Sequence, residues 1–181
     1  MSPTPLRYEA YEATVDRPNI VVDGSPNRGT VLSLTHWPGI DSPAGTEADL
    51  SAQMAFRYLD RGADLHGDAE LVTNNHFDQD GLVAVHALSA PDHALAHRAL
   101  LEDLAAAGDF GTYRFREAAR LSMAIHAFAD PERSPVAPLA EDPDASLYRE
   151  LLARLPELLA NPDQVKDLWE DEDQALTESE G

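Results

Sequence analysis

The feature that most constrains the fold is a short apolar strand pattern that occurs three times, each time just ahead of a turn or a helix. The three segments are NIVV, TVLSL and AELVTNN, and each contains β-branched residues. Residues 46–62, between the second and third segments, space their apolar residues as a helix does. Strands that alternate with helices predict an α/β fold with a small, partly parallel sheet flanked by helices.

The chain after the third strand is predicted to be mainly helical. We interpret residues 1–135 as an α/β domain and residues 136–170 as a helical C-terminal extension that opens with a proline-rich linker. Residues 171–181 contain no basic residue and few apolar ones, so we expect an acidic, disordered tail there. The predicted architecture is therefore one α/β domain with a helical C-terminal portion.

Charge limits the partners of this chain. Its 13 basic and 33 acidic residues give a net charge of −20, which repels duplex nucleic acid and anionic membranes. An acid-rich proteome would produce the same excess without a functional reason. No apolar run approaches the roughly 20 residues of a membrane span, and the N-terminus lacks the layout of a signal peptide. With no cysteine in the chain, we expect a cytoplasmic protein, and homo-oligomerisation stays open.

Polar residues follow all three predicted strands. Asp23 comes directly after the first strand, His36 follows the second, and the third leads into His76, Asp78 and Asp80. The carboxyl ends of parallel strands meet at one edge of a sheet, where α/β proteins bind ligands. Aspartate and histidine are ligands of divalent ions such as Mn²⁺, Mg²⁺ or Zn²⁺. The pattern therefore predicts a cation site, and a cation could hold a small phosphorylated molecule on an acidic protein.

Structural interpretations of the same residues stay open. Asp23 precedes a glycine, and Asp-Gly is a common turn pair. His36 fits a buried histidine that bonds to the backbone. Asp78 and Asp80 fit an acidic surface turn in which the carboxylates cap the helix that follows. Each residue alone is ambiguous, and the cluster is what favours a cation.

Three further histidines lie on predicted helices. His93 and His97 are four residues apart, a spacing that suits either a metal site or a solvated helix face. His86 lies on the helix that follows the acidic turn, where it is either packed or supports a ligand. No third ligand for these histidines is evident from the sequence.

The segment NNHFDQDGLVAVHAL resembles the first motif of the DHH phosphoesterases, a strand that leads into His-x-Asp-x-Asp-Gly and a helix. NIVVDGSPNRG and TVLSLTHWPG are similar to the next two motifs of that family, although the order is permuted. The third motif reads Thr35-His36-Trp37 where the family has Asp-His-His. The resemblance covers residues 19–90, and the chain is also similar to actinobacterial proteins.

The resemblance implies Asp23, His76, Asp78 and Asp80 as metal ligands, with Mn²⁺ as the usual ion. It also implies His36 and His76 as catalytic residues, with His36 contacting the phosphate or assisting proton transfer. The expected function is metal-dependent, phosphoesterase-like hydrolysis of a small phosphorylated or phosphodiester substrate. Because the Asp-His-His triplet is incomplete, a second hypothesis is a non-catalytic relative with a structural or ligand-binding role that acts through protein partners.

Overall fold

A single parallel sheet lies at the centre of the fold. The computed structural model describes residues 4–61, 67–136 and 142–181. The strands are β1 (Arg7–Tyr8), β2 (Asn19–Val22), β3 (Thr30–Leu34) and β4 (Leu71–Thr73). Their order in the sheet is β1-β4-β2-β3, and every neighbouring pair is parallel. Every residue of β2 is buried, as expected for an inner strand covered on both faces. The predicted α/β fold is confirmed.

Helices flank the sheet and complete the core. They are α1 (Ser51–Asp60), α2 (Gln79–Ser89), α3 (Pro91–Ala96), α4 (Arg98–Phe110), α5 (Arg116–Ala129), α6 (Pro143–Ala160) and α7 (Glu170–Glu180). Helices α1 and α2 pack on each other and on the sheet, α4 packs on α2, and α5 packs on α4. Two 3₁₀ segments cover Tyr11–Thr14 and Pro162–Leu168. Within the described ranges, no helix combines the length and the apolar character that crossing a membrane requires.

Two elements differ from the sequence-based expectation. Strand β1 is not among the three predicted strands, because its two residues are too few to show a periodic pattern. The helix expected after Ala90 is divided into α3 and α4, because His97 leaves helical geometry with φ −115° and ψ 15°. The predicted proline-rich linker lies largely in residues 137–141, outside the described residues.

Helix α6 shares the core of the α/β portion. Its residues Leu151, Leu155 and Tyr148 are fully buried and belong to the same hydrophobic cluster as Val72 and Leu82. Such shared burial is the main source of helix stability in proteins. Pro156 lies inside this helix, which nevertheless continues to Ala160.

The C-terminal tail is helical in the structure, whereas the sequence analysis expects disorder over residues 171–181. Helix α7 lies on α5, where the Arg116 Nε donates to Asp173 Oδ1 at 2.6 Å and the Arg120 guanidinium donates to Asp173 Oδ2 at 3.0 Å. The difference arises because these arginines are distant in sequence, so local composition does not reveal them.

Candidate metal centre

Three strand ends deliver the candidate residues to one edge of the sheet. Asp23 follows β2 directly, His36 follows β3, and His76 follows β4. Because β2 lies between β4 and β3, and all three strands run parallel, Asp23 occupies the middle of this edge. Asp78 and Asp80 lie at the start of α2, which leaves the same edge. The five residues predicted to form a site therefore lie together.

Two groups of three residues have the spacing of metal ligands, and Asp23 belongs to both. One ligand atom each from Asp23, His36 and Asp80 lie within 4.8 Å of one another, and the same holds for Asp23, His76 and Asp78. The Nε2 of His36 lies 3.4 Å from Asp23 Oδ1, and the Nε2 of His76 lies 3.2 Å from Asp23 Oδ2. Each oxygen of the Asp23 carboxylate thus faces a different histidine.

The carboxylate of Asp23 is buried and only half satisfied. Its side chain is 1% exposed, and its Oδ1 accepts a hydrogen bond from the Ser51 hydroxyl at 2.9 Å. Its Oδ2 accepts no hydrogen bond from a described residue and has only the ion-pair contact with His76 Nε2 at 3.2 Å, and the Nδ1 of His76 is also buried without a partner. Buried polar atoms are nearly always paired in proteins. An unpaired carboxylate oxygen that faces an imidazole is a natural position for a cation.

Asp78 and Asp80 each cap a helix, but not the same one. Asp78 Oδ1 accepts the Gly81 N–H at 2.7 Å and caps α2, as the surface-turn interpretation predicts. Asp80 is fully buried, and its two oxygens accept the backbone N–H groups of Ser51 and Ala52 at 2.7 and 2.8 Å. It therefore caps α1. The solvent-facing turn in which both acids cap α2 is not what the structure contains.

The backbone around the centre is tightly constrained. Asp23 has a φ of 47°, a left-handed conformation that few non-glycine residues adopt and that often marks functional sites. At Gly24, an added Cβ would lie 2.2 Å from Asn75 Oδ1 and 2.7 Å from Asn74 Oδ1, so a larger residue would displace these side chains of the loop after β4. At Gly81, an added Cβ would lie 2.5 Å from the Tyr148 hydroxyl. The loops that carry Asp23 and His76 are thus held at a fixed separation.

Comparison with protein families assigns the chain to a group but not to an activity. A family model described as a family of unknown function, DUF6687, matches residues 4–180. The chain belongs to this family. No curated protein and no solved structure matches it.

Two residues of this DUF6687 protein join the centre although the sequence analysis does not name them. Asp109, near the end of α4, places its Oδ2 3.9 Å from His36 Nε2. Tyr148 of α6 donates its hydroxyl to the His76 carbonyl at 3.0 Å and accepts from Asn74 Nδ2. Neither follows a strand, so the strand-end argument could not find them. Asp109 adds a fourth carboxylate, and Tyr148 supports the His76 loop.

The protonation equilibria reflect the crowded negative charge. The carboxylates of Asp23 and Asp78 raise the pKa of His76 to about 10. Burial and the Asp23 charge raise the pKa of Asp80 to about 8, and burial with the Asp78 and Asp23 charges raises that of Asp109 to about 6. Burial opposes ionisation of Asp78, but its bonds with His76 and Gly81 hold its pKa below the usual value. The centre thus favours an added positive charge.

The helix histidines form a separate cluster. His86 Nε2 lies 3.0 Å from His93 Nδ1, and the rings of His93 and His97 stack with centroids 4.3 Å apart. His97 Nδ1 donates to the His93 carbonyl at 2.9 Å. Among the described residues, this trio is not one of the groups with metal-ligand spacing. His86 therefore contacts His93, which in turn contacts His97.

Proposed function

We propose that this protein is a metal-dependent, phosphoesterase-like hydrolase that acts on a small phosphorylated or phosphodiester substrate. The observation that carries the proposal is the pair of ligand groups that share Asp23, with a buried, unpaired Asp23 oxygen between them. Their position at the carboxyl edge of a parallel sheet is the usual position for ligands in α/β folds. A cytoplasmic location is part of the proposal, and the absence of cysteine is consistent with it.

The residues fit divalent cations by type and by spacing. Carboxylate oxygens and imidazole nitrogens suit Mn²⁺, which we propose as the ion, and they also suit Zn²⁺ and Mg²⁺ to different degrees. The donor separations of 3.2 and 3.4 Å around Asp23 match donors that each lie about 2.0–2.2 Å from a shared ion. Bound divalent ions would offset phosphate charge and acidify a water molecule.

The side chains divide into three roles under this proposal. Asp23 holds both positions, His76 and Asp78 complete one, and Asp80 completes the other together with His36. In the hydrolysis, the water oxygen bonds to phosphorus, the P–O bond to the leaving group breaks, and one proton moves to the leaving oxygen. If only the Asp23–His76–Asp78 position is filled, His36 is free to contact the phosphate or to transfer that proton, and its side chain is 25% exposed.

A non-catalytic function is the second candidate, and a specific observation favours it. Asp78 and Asp80 already accept backbone N–H groups at the starts of α2 and α1. These bonds give both acids a structural purpose that needs neither metal nor substrate. A protein that uses the cluster only to join helices to the sheet, and that acts through protein partners, would have the same bonds.

Metal analysis combined with a turnover assay separates the two candidates. Purified protein is equilibrated with Mn²⁺, analysed for bound metal, and assayed on bis-p-nitrophenyl phosphate and p-nitrophenyl phosphate. We expect Asp23→Asn to lower metal content and turnover by about 100-fold, the size typical of losing a central polar group. Asp92→Asn, at an exposed position on α3, is the matched control and should behave as wild type.

The outcomes have distinct meanings. Metal binding without turnover on either ester supports the non-catalytic candidate. Absence of bound Mn²⁺, Zn²⁺ or Mg²⁺ in the wild type contradicts the metal centre itself. Turnover that survives Asp23→Asn unchanged contradicts the assignment of the site.

A further inference from the structure

A cavity of about 360 Å³ lies beside the candidate metal centre. It is lined by the end of β1, the first 3₁₀ segment, the loop after β4 and the start of α6. We call it the side pocket and define it by six of its lining residues: Tyr8, Tyr11, Glu12, Asn75, Asp142 and Asp144. Because β1 and β4 are parallel, the side pocket opens at the same edge of the sheet as the metal centre.

The side pocket and the metal centre share a wall. Asn75 directly precedes His76, is exposed, and accepts the Ser25 N–H on its Oδ1 at 3.0 Å. Tyr11 donates its hydroxyl to the Ser25 carbonyl at 3.0 Å, two residues after Asp23. The loop that carries His76 therefore lines the side pocket, and the loop that carries Asp23 is hydrogen-bonded to two of its lining residues. A small molecule that reaches over Asn75 would contact both.

The side pocket is negatively charged. Glu12, Asp142 and Asp144 line it, and among the described residues that line it there is no arginine or lysine. The nearby Arg149 pairs with Glu9, 4.0 Å away, outside the lining. Glu12 and Asp144 have neither a hydrogen bond nor an ion pair within the described part of the chain, whereas Asp142 caps α6 through Oδ1. Burial and the Asp142 charge raise the pKa of Asp144.

Aromatic rings form the other part of the lining. The Tyr8 ring is half-buried and packs against Tyr148 with ring centroids 4.9 Å apart, and no described residue forms a hydrogen bond with its hydroxyl. Tyr11 lines the same cavity. Tyrosine rings next to unpaired carboxylates attract alkylammonium groups, because the ring face and the carboxylates both favour a cation. The same carboxylates would repel an anion.

We propose that the side pocket binds the amine of the substrate while the phosphate lies at the metal centre. The substrate class is then a phosphate ester of an amino alcohol, with a protonated or quaternary amine. This inference rests on the proposed hydrolase function. The reaction is unchanged: water adds to phosphorus, a P–O ester bond breaks, and the amine takes no part in the chemistry.

A pair of isosteric esters tests this specificity. p-Nitrophenyl phosphorylcholine carries a quaternary ammonium, and p-nitrophenyl 3,3-dimethylbutyl phosphate replaces that nitrogen with carbon at nearly the same shape. With Mn²⁺, we expect kcat/KM to favour the choline ester over the dimethylbutyl ester about tenfold. In the double variant Glu12→Gln/Asp144→Asn we expect this ratio to fall to about one, because the ammonium loses its carboxylate partners. Asp92→Asn is the control for a general loss of negative charge.

A binding measurement separates failure of the side pocket from failure of the hydrolase proposal. Choline alone is titrated into EDTA-treated protein by calorimetry, and we expect binding that weakens about tenfold in the double variant. Circular dichroism confirms that the variant is folded. Choline binding without turnover of either ester retains the side pocket and overturns the hydrolase. Equal turnover of both esters, or a preference that survives in the double variant, retains the hydrolase and overturns the side pocket.

Discussion

The candidate metal centre and the C-terminal helix α7 are both acidic, but their charges are balanced in different ways. In α7, Asp173 pairs with Arg116 and Arg120, and Glu172 pairs with Arg133. In the centre, the carboxylates of Asp23, Asp78, Asp80 and Asp109 have ion-pair contacts only with His36 and His76 among the described residues. Arginines outside α7 therefore neutralise the carboxylates of α7, whereas no arginine of the described residues forms an ion pair with a carboxylate of the centre.

This difference shows why net charge alone says little about function. A carboxylate cluster that the protein neutralises with its own arginines needs no external cation, so α7 is explained as a docked structural element. In the centre, the described partners of the carboxylates are histidines alone, so a bound cation would add positive charge that no arginine or lysine supplies there. The α7 cluster and the candidate metal centre are both rich in acidic residues, and they differ in the residues that pair with their carboxylates.

Giving the centre its own arginine should produce the largest effect. In Asp109→Arg, the guanidinium would enter the centre from α4 near His36, as arginines do at α7. We expect Mn²⁺ affinity to fall about 100-fold, because the fixed cation competes with the ion and repels it. Isothermal titration measures the affinity, and Asp109→Asn, which removes charge without adding a cation, should lose much less. Equal affinity in Asp109→Arg and wild type would contradict the site.

His86, which contacts another histidine instead of carboxylates among the described residues, sharpens the same comparison. Burial, followed by the charges of His93 and His97, lowers the pKa of His86 to about 4, whereas His76 beside two carboxylates shifts upward. The unfolded state protonates this histidine near its ordinary pKa of about 6.5. Between these two values the unfolded chain binds more protons, so stability falls as the pH falls.

The expected size of that effect is on the order of 3 kcal/mol between pH 6.5 and pH 4. Urea unfolding at several pH values measures it in wild type and in His86→Gln. The variant should lose stability over this range by a smaller amount, because the remaining slope comes from other groups. Identical slopes in the two proteins would mean that His86 does not stay neutral in the folded state.

The smallest effect is expected at the tail. Asp173→Asn removes the charge that pairs with Arg116 and Arg120, and we expect a loss of about 0.5–1 kcal/mol at low salt, typical of partly exposed ion pairs. Sodium chloride at molar concentration should reduce this loss, because salt screens exposed charges. Thermal unfolding of wild type and variant at both salt concentrations tests this. A loss that does not change with salt would show that packing, not charge, holds α7.

The sequence predicts the parts of the fold that depend on local patterns. β2, β3 and β4 each have an apolar run, and the rule that parallel strands open on one edge places Asp23, His36 and His76 together. The capping of α2 by Asp78 is also a local property. The metal, the substrate and the catalytic roles stay predictions.

The rest depends on contacts that no local pattern encodes. Asp109 reaches the centre from the end of a helix, and Tyr148 reaches it from α6, 72 positions away from its hydrogen-bond partner. Asp80 was interpreted as capping its own helix, but it caps α1 because packing of α1 on α2 brings Ser51 to its carboxylate. These side chains are positioned by helix packing, which becomes evident only once the sheet order is known.

The sheet order also determines when the centre can form during folding. Strand β4 enters between β1 and β2, so the His76 loop reaches Asp23 only after a long stretch of intervening chain has been placed. Contacts between such distant segments form slowly, because closing long loops loses chain entropy. A nascent chain that has made β2 and β3 holds Asp23 and His36 but not the remaining candidate ligands. If the centre binds a cation, binding would therefore begin only once β4 has joined the sheet. The time course of a metal-sensitive signal would then give the rate of this last step of sheet assembly.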